Sequence, residues 1–92
     1  MTEKEDIKDG FYETFYRRSF LEIIQGKKPK PLIRINYKDG KKDGLYEEFY
    51  ENGELWSRVN FKDGKEDGLW EWFDEDGNLI QTEEWKDGEL IE

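Results

Sequence analysis

DGLYEEFYENGELWSRVNFKDGKE at residues 43–66 runs without a gap into DGLWEWFDEDGNLIQTEEWKDGEL at residues 67–90, and the two are identical at 11 of 24 positions. The shared positions are the Asp-Gly openings, Leu45/Leu69, Glu47/Glu71, Phe49/Phe73, Glu51/Glu75, Gly53/Gly77, Leu55/Leu79 and the closing Lys62-Asp63-Gly64/Lys86-Asp87-Gly88. A period of this length marks a repeat array, in which each unit buries its apolar side only against its neighbours. A degenerate first copy precedes the pair. It opens at Asp9-Gly10, rejoins the pattern at Arg34–Lys41, and is interrupted by ten extra residues within 17–30. The expected organisation is one domain over 1–92, with repeat 1 at about 9–42, repeat 2 at about 43–66 and repeat 3 at about 67–90.

Each unit reads as strand, turn, strand, turn, because residues alternate between Gly-containing breaks every ten to twelve positions. The fold class expected is all-β: a single elongated, twisted antiparallel meander of stacked hairpins, carrying one inserted loop or short helix. In the first strand of each unit, Phe11/Phe15, Leu45/Phe49 and Leu69/Phe73 share a face with Glu13, Glu47 and Glu71. The opposite face carries Tyr12/Tyr16, Tyr46/Tyr50 and Trp70/Trp72. The return strands set Ile33/Ile35/Tyr37, Leu55/Val59/Phe61 and Leu79/Trp85 on one side, with Arg34/Asn36, Arg58/Asn60 and Thr82/Glu84 on the other. Asn52-Gly53, Asp76-Gly77 and the Lys-Asp-Gly breaks at 38–40, 62–64 and 86–88 are expected to be type I′ turns, which take positive φ at both central residues. Gly44 and Gly68 are read as a bulge or a close backbone approach.

Mean hydropathy of −1.15 and a net charge of −9 suggest disorder, but 15 aromatic residues at fixed spacing between turns argue for a thin folded core built from large rings. With no cysteine and no histidine, disulfides, thiolate zinc sites and His-based nucleophile pairs are excluded. Asp74, Asp76, Gly77, Leu79 and Glu83 fall at calcium-loop offsets, but Trp72 occupies the first ligand position, so no metal or cofactor is expected. Adjacent acids such as Glu83/Glu84 point to opposite faces of a strand, and no catalytic residue is assigned. No apolar run nears the roughly 20 residues of a membrane span, and Met1–Asp6 is charged rather than signal-like. The expectation is a cytoplasmic protein with no membrane partner.

Charge is segregated. Arg17–Arg34 carries six bases and one acid, whereas 43–92 carries 17 acids and 4 bases, a balance of −13. Direct nucleic-acid binding is therefore disfavoured. The insertion also holds the most aliphatic run, Phe20-Leu21-Glu22-Ile23-Ile24, read as an extra strand or a helical turn packed over the array. Pro29 and Pro31 are expected to return the chain in extended form.

The unit Asp43–Leu55, with its Phe61-Lys62-Asp63-Gly64-Lys65 closure, resembles the bacterial variant of the MORN repeat over about residues 8–90, the insertion excepted. The resemblance implies a stacked-hairpin sheet with a groove on one face and a role as a protein-binding scaffold; some bacterial members are labelled antitoxins. The membrane role in the family's name fits poorly with an anionic sheet.

From the residues themselves, the aromatic ladder Tyr12, Tyr16, Tyr46, Tyr50, Trp70 and Trp72 is the leading candidate for a partner surface, set against a purely structural cross-strand role. Glu13, Glu47 and Glu71 are candidate contacts for cationic side chains of a partner, the alternative being that they accept from backbone or tyrosine donors or face water. Arg17, Arg18, Lys27 and Lys28 of the insertion complete the candidate site. The function expected is a non-enzymatic module binding a protein with a basic surface; an acidic inhibitor of a basic site is the alternative, and self-assembly into a homodimer through sheet edges the weaker one.

Overall fold

Among the described residues, nine strands and one short helix follow the repeat: β1 (Gly10–Phe15), α1 (Phe20–Ile24), β2 (Pro31–Lys38), β3 (Lys41–Lys42), β4 (Gly44–Phe49), β5 (Leu55–Lys62), β6 (Lys65–Glu66), β7 (Gly68–Phe73), β8 (Leu79–Lys86) and β9 (Glu89–Leu90). The computed structural model describes residues 8–91; the charged segment Met1–Asp6 lies outside them. All pairings are antiparallel, and the main path runs β1-β2-β4-β5-β7-β8-β9, with β3 on β2 and β6 on β5. The described chain measures 46 × 45 × 20 Å, the proportions of a single-layer slab.

Two kinds of turn join these strands. Asp39/Gly40, Asp63/Gly64 and Asp87/Gly88 all have positive φ, 52° and 75°, 51° and 83°, 50° and 82°, as a type I′ turn requires. The hairpin tips differ from expectation. Gly53 (φ 93°) and Gly77 (φ 90°) are left-handed, but Asn52 and Asp76 are not. Gly53 N–H donates to Tyr50 C=O, and Tyr50 N–H to Glu54 C=O, closing a three-residue loop with a glycine bulge instead of a type I′ turn. Asp74 and Asn78 close the equivalent loop of repeat 3.

The register explains Gly44 and Gly68. β3 pairs with the end of β2 (Tyr37↔Lys42), after which Asp43 N–H donates to Asn36 C=O and the chain kinks at Gly44, φ 84°. β4 then rejoins β2 only at Arg34↔Glu47 and Ile33↔Glu48. Gly68 (φ 111°) repeats the kink between β6 and β7. A Cβ at Gly44 would meet nothing within 4 Å, so the backbone conformation, not a close approach, demands glycine there.

The insertion is an enlarged hairpin tip. Tyr16 N–H donates to Lys30 C=O at 2.8 Å, the bond that Tyr50 and Glu54 make in repeat 2. Inside it, Ser19 and Glu22 form a reciprocal capping box that starts α1. Backbone and hydroxyl hydrogen bonds from Ser19 hold the Glu22 carboxyl below its ordinary range. Arg18 Nη1 donates to Lys27 C=O at 2.7 Å and ties off the loop. The apolar run is thus helical, not an extra strand. It is not packed over the array either: no side chain of α1 is buried, and Phe20 is 78% exposed. Five residues present too small an apolar stripe to hold a helix onto a sheet, and local capping suffices to form it.

The main core cluster lies on one face. Ile35, Val59 and Phe61 form its buried centre, with Ile33, Tyr37, Tyr46 and Trp70 packed around them. Val59, at 1% exposure, is the most deeply buried apolar residue described; its strand partner across the hairpin is Tyr46. In a sheet with no second layer among the described residues, long aromatic side chains must lie along the face and cover the aliphatic ones.

Candidate functional site

Register places the tyrosine and tryptophan face of the first strands together with the aliphatic face of the return strands, through Tyr12↔Ile35 and Tyr46↔Val59, while in repeat 3 the partner of Trp70 is the acid Glu83. The aromatic ladder is therefore both core and surface. Tyr46 and Trp70 pack on the core, Tyr12 is exposed, and Tyr16, Tyr50 and Trp72 are half-buried. Two of the phenols are structural. Tyr16 OH donates to Phe49 C=O at 2.6 Å, and Tyr50 OH to Phe73 C=O at 2.8 Å, each reaching the irregular pair at the end of the next unit's first strand. Partial desolvation and the carboxylates of Glu75 and Asp74 push the Tyr50 phenol above its ordinary range. In repeat 3 the position belongs to Asp74, which accepts from Asp76 N–H, Asn78 N–H and Asn78 Nδ2 within its own loop. Those bonds, chiefly from Asn78, hold its carboxyl below the usual range.

The glutamate column is an alternating ladder. Glu13↔Arg34↔Glu47↔Arg58↔Glu71↔Thr82 are successive partners across the sheet. Arg34 Nε donates to Glu13, and Arg58 Nε to Glu71 at 2.8 Å. Each guanidinium also covers a ring, Arg34 over Phe49 at 5.0 Å and Arg58 over Phe73 at 5.7 Å. The donors to Glu13 and Glu71 are thus arginines rather than backbone or tyrosine groups. Arg34 and Arg58 occupy the same position in successive units, a coincidence visible in the sequence that would have identified the ladder.

On the core face lies an open groove of about 570 Å³, walled by Tyr37, Tyr46, Phe61 and Trp70 and edged by Lys42, Glu48 and Glu66. Tyr46 and Phe61 meet edge to face, with centroids 5.8 Å apart and an interplanar angle of 69°. The Lys42 ammonium stands over both rings, 5.3 Å from Tyr46 and 5.1 Å from Phe61. Tyr46 OH donates to Glu48 at 2.6 Å; burial first, then this bond and its charge, push the phenol well above its ordinary range. Next along, Trp70 stacks on Trp72 (5.0 Å, 10°) and tilts against Trp85 (5.7 Å, 55°), whose Nε1–H donates to Glu83 at 3.2 Å. The buried Nε1–H of Trp70 finds no acceptor among the described residues.

Residues 42–63 and 66–87 match the MORN repeat variant family. The chain carries MORN repeats. The matches coincide within a few residues with repeats 2 and 3, and the interrupted first unit lies outside them. No curated protein and no solved structure matches the chain significantly. The MORN repeats here are hairpin units of one continuous sheet, and the Tyr16 and Tyr50 hydroxyl bonds, with Asn52 Nδ2 donating to Glu75 C=O at 2.9 Å, tie one unit to the next. Arg17, Lys27 and Lys28 of the insertion are exposed, while Arg18 is half-buried and engaged within its own loop. No group of three or more metal-ligating side chains occurs among the described residues, nor is any described helix long and apolar enough to cross a membrane.

Proposed function

We propose that this chain is a non-enzymatic protein-binding module whose aromatic, acid-edged sheet face takes a partner with a basic surface. The observation that carries the reading is a core face covered by its own half-exposed rings and indented by an open groove, with no second layer upon it among the described residues. Aromatic rings in concave surroundings supply most affinity in protein interfaces. The −13 balance of residues 43–92 adds long-range attraction and repels anionic nucleic acid and lipid.

The test is capture of partners by the intact chain, compared with capture by Trp72→Ala, followed by affinity measurement in rising salt. Loss of roughly tenfold or more on Trp72→Ala supports the aromatic face. A partner that binds Trp72→Ala as well as the parent chain sinks this reading. Charge segregation also favours a second reading, a small acidic inhibitor occluding a basic cleft; it is supported when affinity falls steeply between about 50 and 200 mM salt.

A further inference from the structure

The aromatic pair of repeat 2 has a cation over it, and among the described residues that of repeat 3 does not. Lys42, the last residue of repeat 1, holds its ammonium 5.1–5.3 Å from the centroids of Phe61 and Tyr46 in repeat 2. Twenty-four residues on, Tyr46 becomes Trp70, Phe61 becomes Trp85 and Lys42 becomes Glu66. The second aromatic pair has nearly the geometry of the first, at 5.7 against 5.8 Å between centroids and 55° against 69°. Glu66 takes the strand position of Lys42, opposite Phe61 as Lys42 is opposite Tyr37. Val59, the buried residue beside the first pair, is replaced by a second acid, Glu83, held against Trp85.

We propose that the Trp70–Trp85 pair with Glu66 and Glu83 is a receptor site for a lysine side chain of a basic protein partner, with Lys42 as the internal stand-in for that ligand. The proposal rests on the protein-binding reading above and names its contact. Tryptophan is the strongest of the aromatic cation acceptors, and a carboxylate at the rim attracts the same charge. The substitutions also carry a cost. Tyr46 satisfies its polar edge on Glu48, whereas Trp72 replaces that acceptor in repeat 3 and leaves the Trp70 N–H unpaired.

The experiment follows tryptophan fluorescence of the intact chain during titration with a short lysine homopeptide and with the same peptide acetylated on every side-chain amine. The parent chain is expected to respond to the lysine peptide and not to the acetylated one. Glu66→Lys, which gives the Trp70–Trp85 pair the cation that Lys42 gives the Tyr46–Phe61 pair, should weaken binding roughly tenfold, and Glu66→Gln by less. Glu51→Lys, the same charge change on an exposed hairpin tip, should bind nearly as the parent does. Circular dichroism verifies that each variant is folded. Equal weakening by Glu66→Lys and Glu51→Lys, an equal response to the acetylated peptide, or no response at all overturns the lysine site. If the site fails while a captured partner still depends on Trp72, the broader reading survives; loss of both removes both. Sedimentation of the parent alone that shows self-association reversed by Glu66→Lys assigns the lysine to a second copy and overturns the separate partner.

Discussion

Tyr50 shows how one side chain serves two units: its amide closes its own hairpin, and its hydroxyl donates to Phe73 in the next. Tyr50→Phe keeps the ring and removes only the second bond, so it should cost about 1 kcal/mol in urea unfolding. Val59→Ala opens space at the most buried apolar position and should cost about 2 kcal/mol by the same measurement. Asp74 gives a pH signature. Its folded carboxyl lies below the ordinary 3.8, so its contribution is fully present above that value and is lost as pH falls through the depressed one. The advantage of the parent over Asp74→Ala, measured by urea unfolding across acid pH, should therefore shrink below 3.8. An advantage that is constant down to the acid limit would remove the carboxylate from the explanation. Arg58 gives a contrast, since its ion pair is 44% exposed on the cation side and exposed pairs contribute little.

At the scale of elements, the insertion is the feature with least hold on the sheet. Replacing residues 17–29 by the tripeptide Glu-Asn-Gly would restore the tip of repeat 2 between Tyr16 and Lys30, whose bond already has the required form. The array should keep its thermal midpoint within a few degrees, because no side chain of α1 is buried. A large drop would show that α1 supports the sheet. The turns were legible in the sequence by kind but not all by type. Asp-Gly at 39/40, 63/64 and 87/88 joins two-residue loops and takes type I′ geometry, whereas the same chemistry at 52/53 and 76/77 sits in three-residue loops with only glycine left-handed. Residue preference reveals that the chain turns; loop length, set by strand pairing, decides how.

Across the molecule, each unit contacts its neighbours through the same backbone bonds, as expected of a quasi-one-dimensional array. Inserting a second copy of residues 43–66 should raise both the urea midpoint and the m-value, since each added unit buries a further Tyr46/Val59-type layer. The sequence by itself determined the hairpin repeat, its period, the position of the insertion and the division of each strand into two faces, because those follow from turn chemistry and two-residue alternation acting over a few residues. Only the tertiary structure decided which face is core, that the glutamates alternate with Arg34 and Arg58 across the sheet, and that Lys42 caps one aromatic pair while Glu66 stands at the next. Each of those depends on which strands lie side by side and in what register, a relation between residues about ten to thirty positions apart that alternation within a strand leaves open.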